Sequence, residues 1–134
     1  MSGFETTIQR LFLDALKADA DVVDSVDGRI YDDVPQSTEY PYIVIGEDIS
    51  TDESTDDGIR RISSLVVHIW SRYRGKKEVK EIQGLIELVL NRAELTDPEY
   101  DIVGIHLEQT DSFLDQDGLT RHGSMSFRSI MKRN

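Results

Sequence analysis

Cysteine is missing from this chain altogether. Its absence rules out disulfides and thiolate metal sites and fits a reducing compartment. Long apolar runs are missing as well. No stretch approaches the roughly 20 consecutive apolar residues of a bilayer-crossing helix, so no membrane partner is expected. The opening Met1-Ser2-Gly3-Phe4-Glu5 lacks the basic region and apolar run of a secretory signal, and export is not expected. Gly3, Gly28, Gly46 and Gly58 stand alone, so no glycine-rich phosphate loop is present. Bases are scarce too. With 15 Lys and Arg against 26 Asp and Glu, the formal net charge is −11. A dedicated duplex-binding protein would carry the opposite balance, a basic patch on a basic domain.

What remains is ample for one domain. A chain of 134 residues with 38% apolar content buries about two-thirds of its unfolded surface and need not be disordered. The most informative stretch is Leu65-Val66-Val67-His68-Ile69-Trp70-Ser71-Arg72-Tyr73-Arg74-Gly75. β-Branched and aromatic residues on both faces of 62–70 indicate a central strand covered on two sides. Val79, Ile82, Leu85, Ile86, Val89, Leu90 and Ala93 then recur at spacings of three and four, the stripe of an amphipathic helix over about 75–93.

The flanks supply the other elements. Ser2 and Glu5 stand at capping-box spacing before a helical face of Phe4, Ile8, Leu11, Phe12, Ala15 and Leu16. Val22, Val23 and Val26 suggest a short second helix stopped by Gly28. Arg29 to Asp32 is a brief extended piece, and Tyr42 to Glu47 reads as a strand with Pro41 at its start. Alternation marks strands over 100–111 and 119–131, with the hairpin dipeptide Asp117-Gly118 between them. The reading is a single domain spanning 1–134, of α/β (α+β) class. It has a mainly antiparallel, four- to five-stranded sheet with two main helices on one face.

Chemistry is sparse. His68, His106 and His122 fall on different strands, and none has a histidine or cysteine close in sequence, so no metal ligand set is assigned. The segment Asp115-Gln116-Asp117-Gly118 fails as a calcium loop, because Phe113 and Ser124 would occupy positions that need carboxylates. No serine sits in a Gly-x-Ser-x-Gly elbow. No cofactor, catalytic residue or enzymatic activity is assigned.

Charge placement carries more. Glu47, Asp48, Asp52, Glu53, Asp56 and Asp57 form an acidic segment without an intervening base, expected to be a mobile loop over 47–58 facing a partner or a lumen. Arg72, Arg74, Lys76, Lys77 and Lys80 form a basic segment interrupted only by Glu78, and Arg72, Arg74, Lys76 and Lys77 are candidate subunit-interface residues. Separated surfaces of opposite sign allow copies of one chain to meet each other.

The ordered set Gly28-Arg29-Ile30-Tyr31-Asp32, Pro35, Tyr40-Pro41-Tyr42-Ile43-Val44-Ile45-Gly46, Leu65 to Ser71, Asp115 to Gly123 and Met125-Ser126-Phe127-Arg128 resembles a tailed-phage and prophage family. That family is the domain-of-unknown-function 3168 group, related to tail terminators, also called tail completion or tail-to-head joining proteins. The resemblance runs from Phe4 to Met131. It implies a small α/β domain that closes into a homo-oligomeric ring, usually of six copies, on the head-proximal end of the tail tube. Such a ring halts tube polymerisation and meets the head connector. It lies at the tail–head junction of the virion after assembly in the bacterial host cytoplasm. The implied partners are the chain itself, the tail tube protein, the head connector or neck protein, and DNA that passes without tight binding. An acidic lumen suits the last, because each phosphate neutralised by a base adds affinity through counterion release. A neck or stopper role in head completion, an acidic host interaction module and a small carboxylate enzyme are the alternatives.

Overall fold

The residues from Arg60 to Ser71 alternate between a buried set, Ser63, Leu65, Val67, Ile69 and Ser71, and a half-exposed set, so only one face of this strand is covered. In the computed structural model, which describes residues 3–134, it is the middle strand of five. The elements in chain order are α1 (Phe4–Ala18), α2 (Ala20–Ser25), β1 (Ile30–Tyr31), β2 (Tyr42–Asp52), β3 (Arg60–Ser71), α3 (Lys77–Leu90), β4 (Tyr100–Leu114) and β5 (Arg121–Arg133). The sheet order is β1-β2-β3-β5-β4. β1 runs parallel to β2, and every other neighbouring pair is antiparallel.

Both long helices and α2 lie on the same face, where the buried sides of β3 and β5 meet them. From α3 come Val79, Ile82, Ile86 and Leu90, all at most 2% exposed. From α1 come Phe4, Ile8, Phe12 and Leu16. Phe12 meets Phe127 edge-on with centroids 5.8 Å apart, and Phe4 lies 4.7 Å from Tyr100. Such tilted pairs suit the aromatic quadrupole. The stripe read from the sequence is the packed stripe, with Val89 at its margin.

Local chemistry ends each element where expected. Asp19 caps α2 by accepting from the Val22 N–H at 3.0 Å. Gly28, at φ 74°, donates its N–H to the Val23 carbonyl and closes the helix end. Arg29 then donates to the carbonyls of Pro41 and Tyr40 at 2.9 and 3.2 Å, which holds the long 32–41 connection against the start of β2. Of the expected capping box, Ser2 lies outside the described residues; the N-cap of α1 is Gly3, with no side-chain cap.

Two expectations need correction. The strand over 62–70 is central but covered on one side only, because all the helices pack on the Leu65, Val67 and Ile69 face and leave Val66, His68 and Trp70 on the open one. The acidic segment 47–58 is not a loop along its length. β2 continues through a bulge between Ile45 and Asp48 to Asp52, and only the short turn 53–59 connects it to β3. Ser50 pairs with Ser63 and Asp52 with Arg61 in the antiparallel register, so the acids ride on a paired strand with their carboxylates in solvent. Backbone pairing with β3 stabilises this stretch despite the charge. Acids on a nearly bare edge are also a common way to block unwanted strand pairing.

Candidate functional site

The sheet face away from the helices is bare, and its strand alternation decides which side chains stand on it. On β3 these are Ser64, Val66, His68 and Trp70, and on β5 His122, Ser124, Ser126 and Arg128. Pairing aligns Tyr42 with Trp70, Trp70 with His122, and His122 with Phe113. One end of the bare face therefore carries a row of four rings across β2, β3, β5 and β4. Trp70 stacks on His122 at 3.7 Å with planes 10° apart, and Phe113 meets the same imidazole at 4.9 Å and 63°. The row extends to Tyr40, 5.2 Å from Tyr42, and the Arg72 guanidinium lies 4.3 Å above the Tyr40 ring.

A hydrogen-bond chain fixes the row from beneath. His68 Nε2 lies 2.5 Å from Glu47 Oε1, and His68 Nδ1 lies 2.7 Å from His122 Nε2. A carboxylate only accepts, so His68 donates to Glu47 through Nε2; in the neutral ring its Nδ1 then accepts from His122 Nε2–H. The bond from His68 holds the Glu47 carboxyl below the usual carboxylate range. Burial, and then the charge of His68, push His122 below the ordinary histidine value. The sequence left these histidines unpartnered; the fold brings two of them together and leaves His106 apart, opposite Arg128. Among the described residues no group of three His, Cys, Asp or Glu side chains is arranged to hold a metal ion.

The charged segments end up far apart. The turn bearing Glu53, Asp56 and Asp57 lies at one end of β3, and Arg72, Arg74, Lys76 and Lys77 lie at the other. The twelve residues of β3 rise about 3.3 Å each, placing the two clusters on the order of 40 Å apart. None of these seven residues makes an ion pair among the described residues. Two of the other three acids of the segment have local tasks. Glu47 serves His68, and Asp52 accepts from the Ser54 hydroxyl and N–H and approaches Arg61 at 4.0 Å. The acidic end is also less uniform than the sequence implied. Arg61 reaches Glu5 at 2.5 Å, and Arg60 pairs in register with Lys132.

A cleft of about 750 Å³ runs between the 92–97 connection and β4 and is lined by Leu95, Asp97, Tyr100, Ile102 and His106 among others. Asp97 is occupied there by Arg10 at 2.5 Å and by the Glu99 N–H at 2.9 Å. Glu5, Glu47, Asp52 and Asp117 all have displaced carboxyl pKa values, and all four are displaced downward. Asp117, which accepts from the Thr120 hydroxyl and from the Thr120 and Leu119 N–H groups, falls to about 2. A general acid needs the opposite displacement.

A one-sided sheet with rings and charges on its exposed face offers surface for contact with other macromolecules. Residues 11–132 match the family model of tail completion protein gp17, and the chain belongs to that family. It is a structural tail-completion component of a phage-type virion, at the tail–head region. None of the curated proteins matches it in sequence. Its fold is shared by a chain from the virion of a native gene transfer agent particle, with a TM-score of 0.86 and 20% identity. That alignment covers 93% of this chain and 94% of the other.

Proposed function

We propose that copies of this chain close into a ring, of six subunits, on the head-proximal end of the tail tube, stop its growth and join it to the head. The observation that carries this reading is the pair of unpaired, opposite charge clusters at the two ends of β3. An acidic turn and a basic end on the same chain are different patches, so they meet head to tail. A head-to-tail contact closes into a ring when its rotation permits. The family's tail-completion role supplies the setting, with the tail tube protein and a head connector as the other partners. The gene transfer agent virion that contains the similarly folded chain is a particle of the kind such a ring would serve. The net charge of −11 lets DNA pass the ring without being held, since few phosphates would be neutralised.

The test is R72E/R74E/K77E. Exposed ion pairs contribute only about 0–1 kcal/mol each and are screened over about 10 Å at 0.1 M salt. The triple reversal replaces attraction by repulsion at three positions, so native mass spectrometry should show loss of the ring while circular dichroism stays unchanged. Tails assembled with the variant should run to uncontrolled lengths. Normal rings and normal tail lengths would remove the electrostatic part of the reading. A chain that stays monomeric even with tail tubes would remove the ring, and binding only to portal-side rings would move the protein to the stopper role.

A further inference from the structure

We infer that the ring row Tyr42, Trp70, His122 and Phe113 on the bare sheet face is the apolar anchor of the contact between neighbouring copies, and that its occupant is the acidic β2–β3 turn of a second copy. The inference rests on the ring reading above and names the surface that makes such a ring hold. Charge alone does not suffice, because a few exposed pairs of about 0–1 kcal/mol each cannot sustain a stable heterologous contact. Interfaces draw their energy from buried aromatic anchors surrounded by a polar rim.

The row meets that description. It is continuous with the basic end, because Arg72 lies on Tyr40 and donates to the Thr120 hydroxyl at 3.2 Å. Glu47, His68 and His122 hold the rings in one arrangement before any partner arrives, which lowers the entropy lost on docking. Phe113 remains 45% exposed. Beyond the row the bare face is mainly polar, with Ser64, Ser124, Ser126 and Arg128 around Val66 and the exposed Ile49 opposite Ser64. Other exposed apolar residues, such as Leu88 on α3 and Val103 on β4, stand singly.

The occupant is argued from complementarity. The acidic turn carries Glu53, Asp56 and Asp57 and, next to them, Ile59, which is 43% exposed. Ile59 stands between the Asp56-Asp57 pair and Arg60, so its acidic side matches the Arg72 side of the ring row. At the β4 end of the row, Asp111 and Asp115 stand instead. The neighbour's acids therefore fit on the Arg72 side alone, which sets the direction of approach. The same two acids disfavour a nucleic-acid occupant, whose phosphates would meet them.

Trp70 is the chain's one tryptophan, so the protein grown on 5-fluorotryptophan gives a single fluorine resonance that reports the row. The expected result is a shift of that resonance with concentration, in step with the ring's appearance in native mass spectra. F113S and I59S should each raise the half-assembly concentration by tenfold or more. The double variant should fall short of the product of the two, because both remove one contact. If rings form while the Trp70 signal stays at its monomer position, the row lies outside the interface and the inference is wrong, though the ring stands. If the signal moves only when tail tubes are added to rings already formed, the occupant is the tube, and the inference is equally overturned. A chain that never assembles, with or without tubes, defeats the ring reading and this inference with it.

Discussion

Gly123 on β5 faces α3, where the helix packs tightly on the sheet. A Cβ at this position would lie 2.8 Å from Val79 Cγ2, 2.8 Å from Gln83 Nε2 and 3.2 Å from Gln83 Cδ. Neither neighbour can yield cheaply. Val79 is fully buried under the helix and, being β-branched, is stiff at χ1. Gln83 is held by its Nε2 donating to the Asp111 carbonyl at 2.8 Å and, at 3.4 Å, to that of Ser124. G123A therefore forces α3 away from the sheet or breaks the glutamine's bond. Overpacking costs about 1–3 kcal/mol and a lost buried hydrogen bond about 0.5–1.5 kcal/mol. A total loss of about 2–4 kcal/mol is expected, read from urea unfolding with an unchanged m value. Q83A removes one of the two obstructing groups, so the double variant should be more stable than the two single losses added together predict. A loss below about 0.5 kcal/mol for G123A would refute the close approach and with it the seating of α3 described here.

I86A should cost about 2–5 kcal/mol by leaving a cavity between α3 and the sheet, measurable by the same unfolding experiment; a change of only a few tenths would place that helix face in solvent. Stability should also fall with pH through the His122 range. Its pKa is lower when folded than the ordinary 6.5, so the unfolded chain takes up the proton first. The contribution is then present above about pH 6.5 and lost as pH falls through the folded value. H122F should flatten the melting-temperature profile over that window, and an unaltered profile would mean that the imidazole is not held neutral by its surroundings.

Much of the fold was legible because its signals are local or periodic. The apolar stripe from Val79 to Leu90 and the apolar content of both faces near Leu65 to Trp70 need no knowledge of distant residues. The hairpin between β4 and β5 was legible from Asp117-Gly118. Near the turn, residues equidistant from that dipeptide pair up, from Leu114 with Arg121 to Gln109 with Ser126, and bulges shift the register beyond it. The acidic segment misled because like charges were read as an unpaired loop. Backbone hydrogen bonding to β3 is indifferent to side-chain charge when those side chains reach solvent, and Glu47 to Asp52 do so on a strand with little covering its outer edge.

The aromatic row was half visible for the same reason. His122 and Phe113 follow from a hairpin, but Trp70 beside His122 requires β3 to lie next to β5, across a helix and another strand in sequence. His68 reaches His122 only on the diagonal, its direct partner being Ser124, a relation that appears once register is known to the residue. Nor does the alternation along β3 say which face the helices take. His68 and Trp70 belong to the same run as Val67 and Ile69, and all four suit a buried strand. What separates them is Gly46. A Cβ there would lie 2.4 Å from the His68 ring, so the absence of a side chain on β2 makes room for the imidazole beside Glu47. That glycine within an apolar strand run is a sequence signal for close approach on one face, and it points to the face that carries the row.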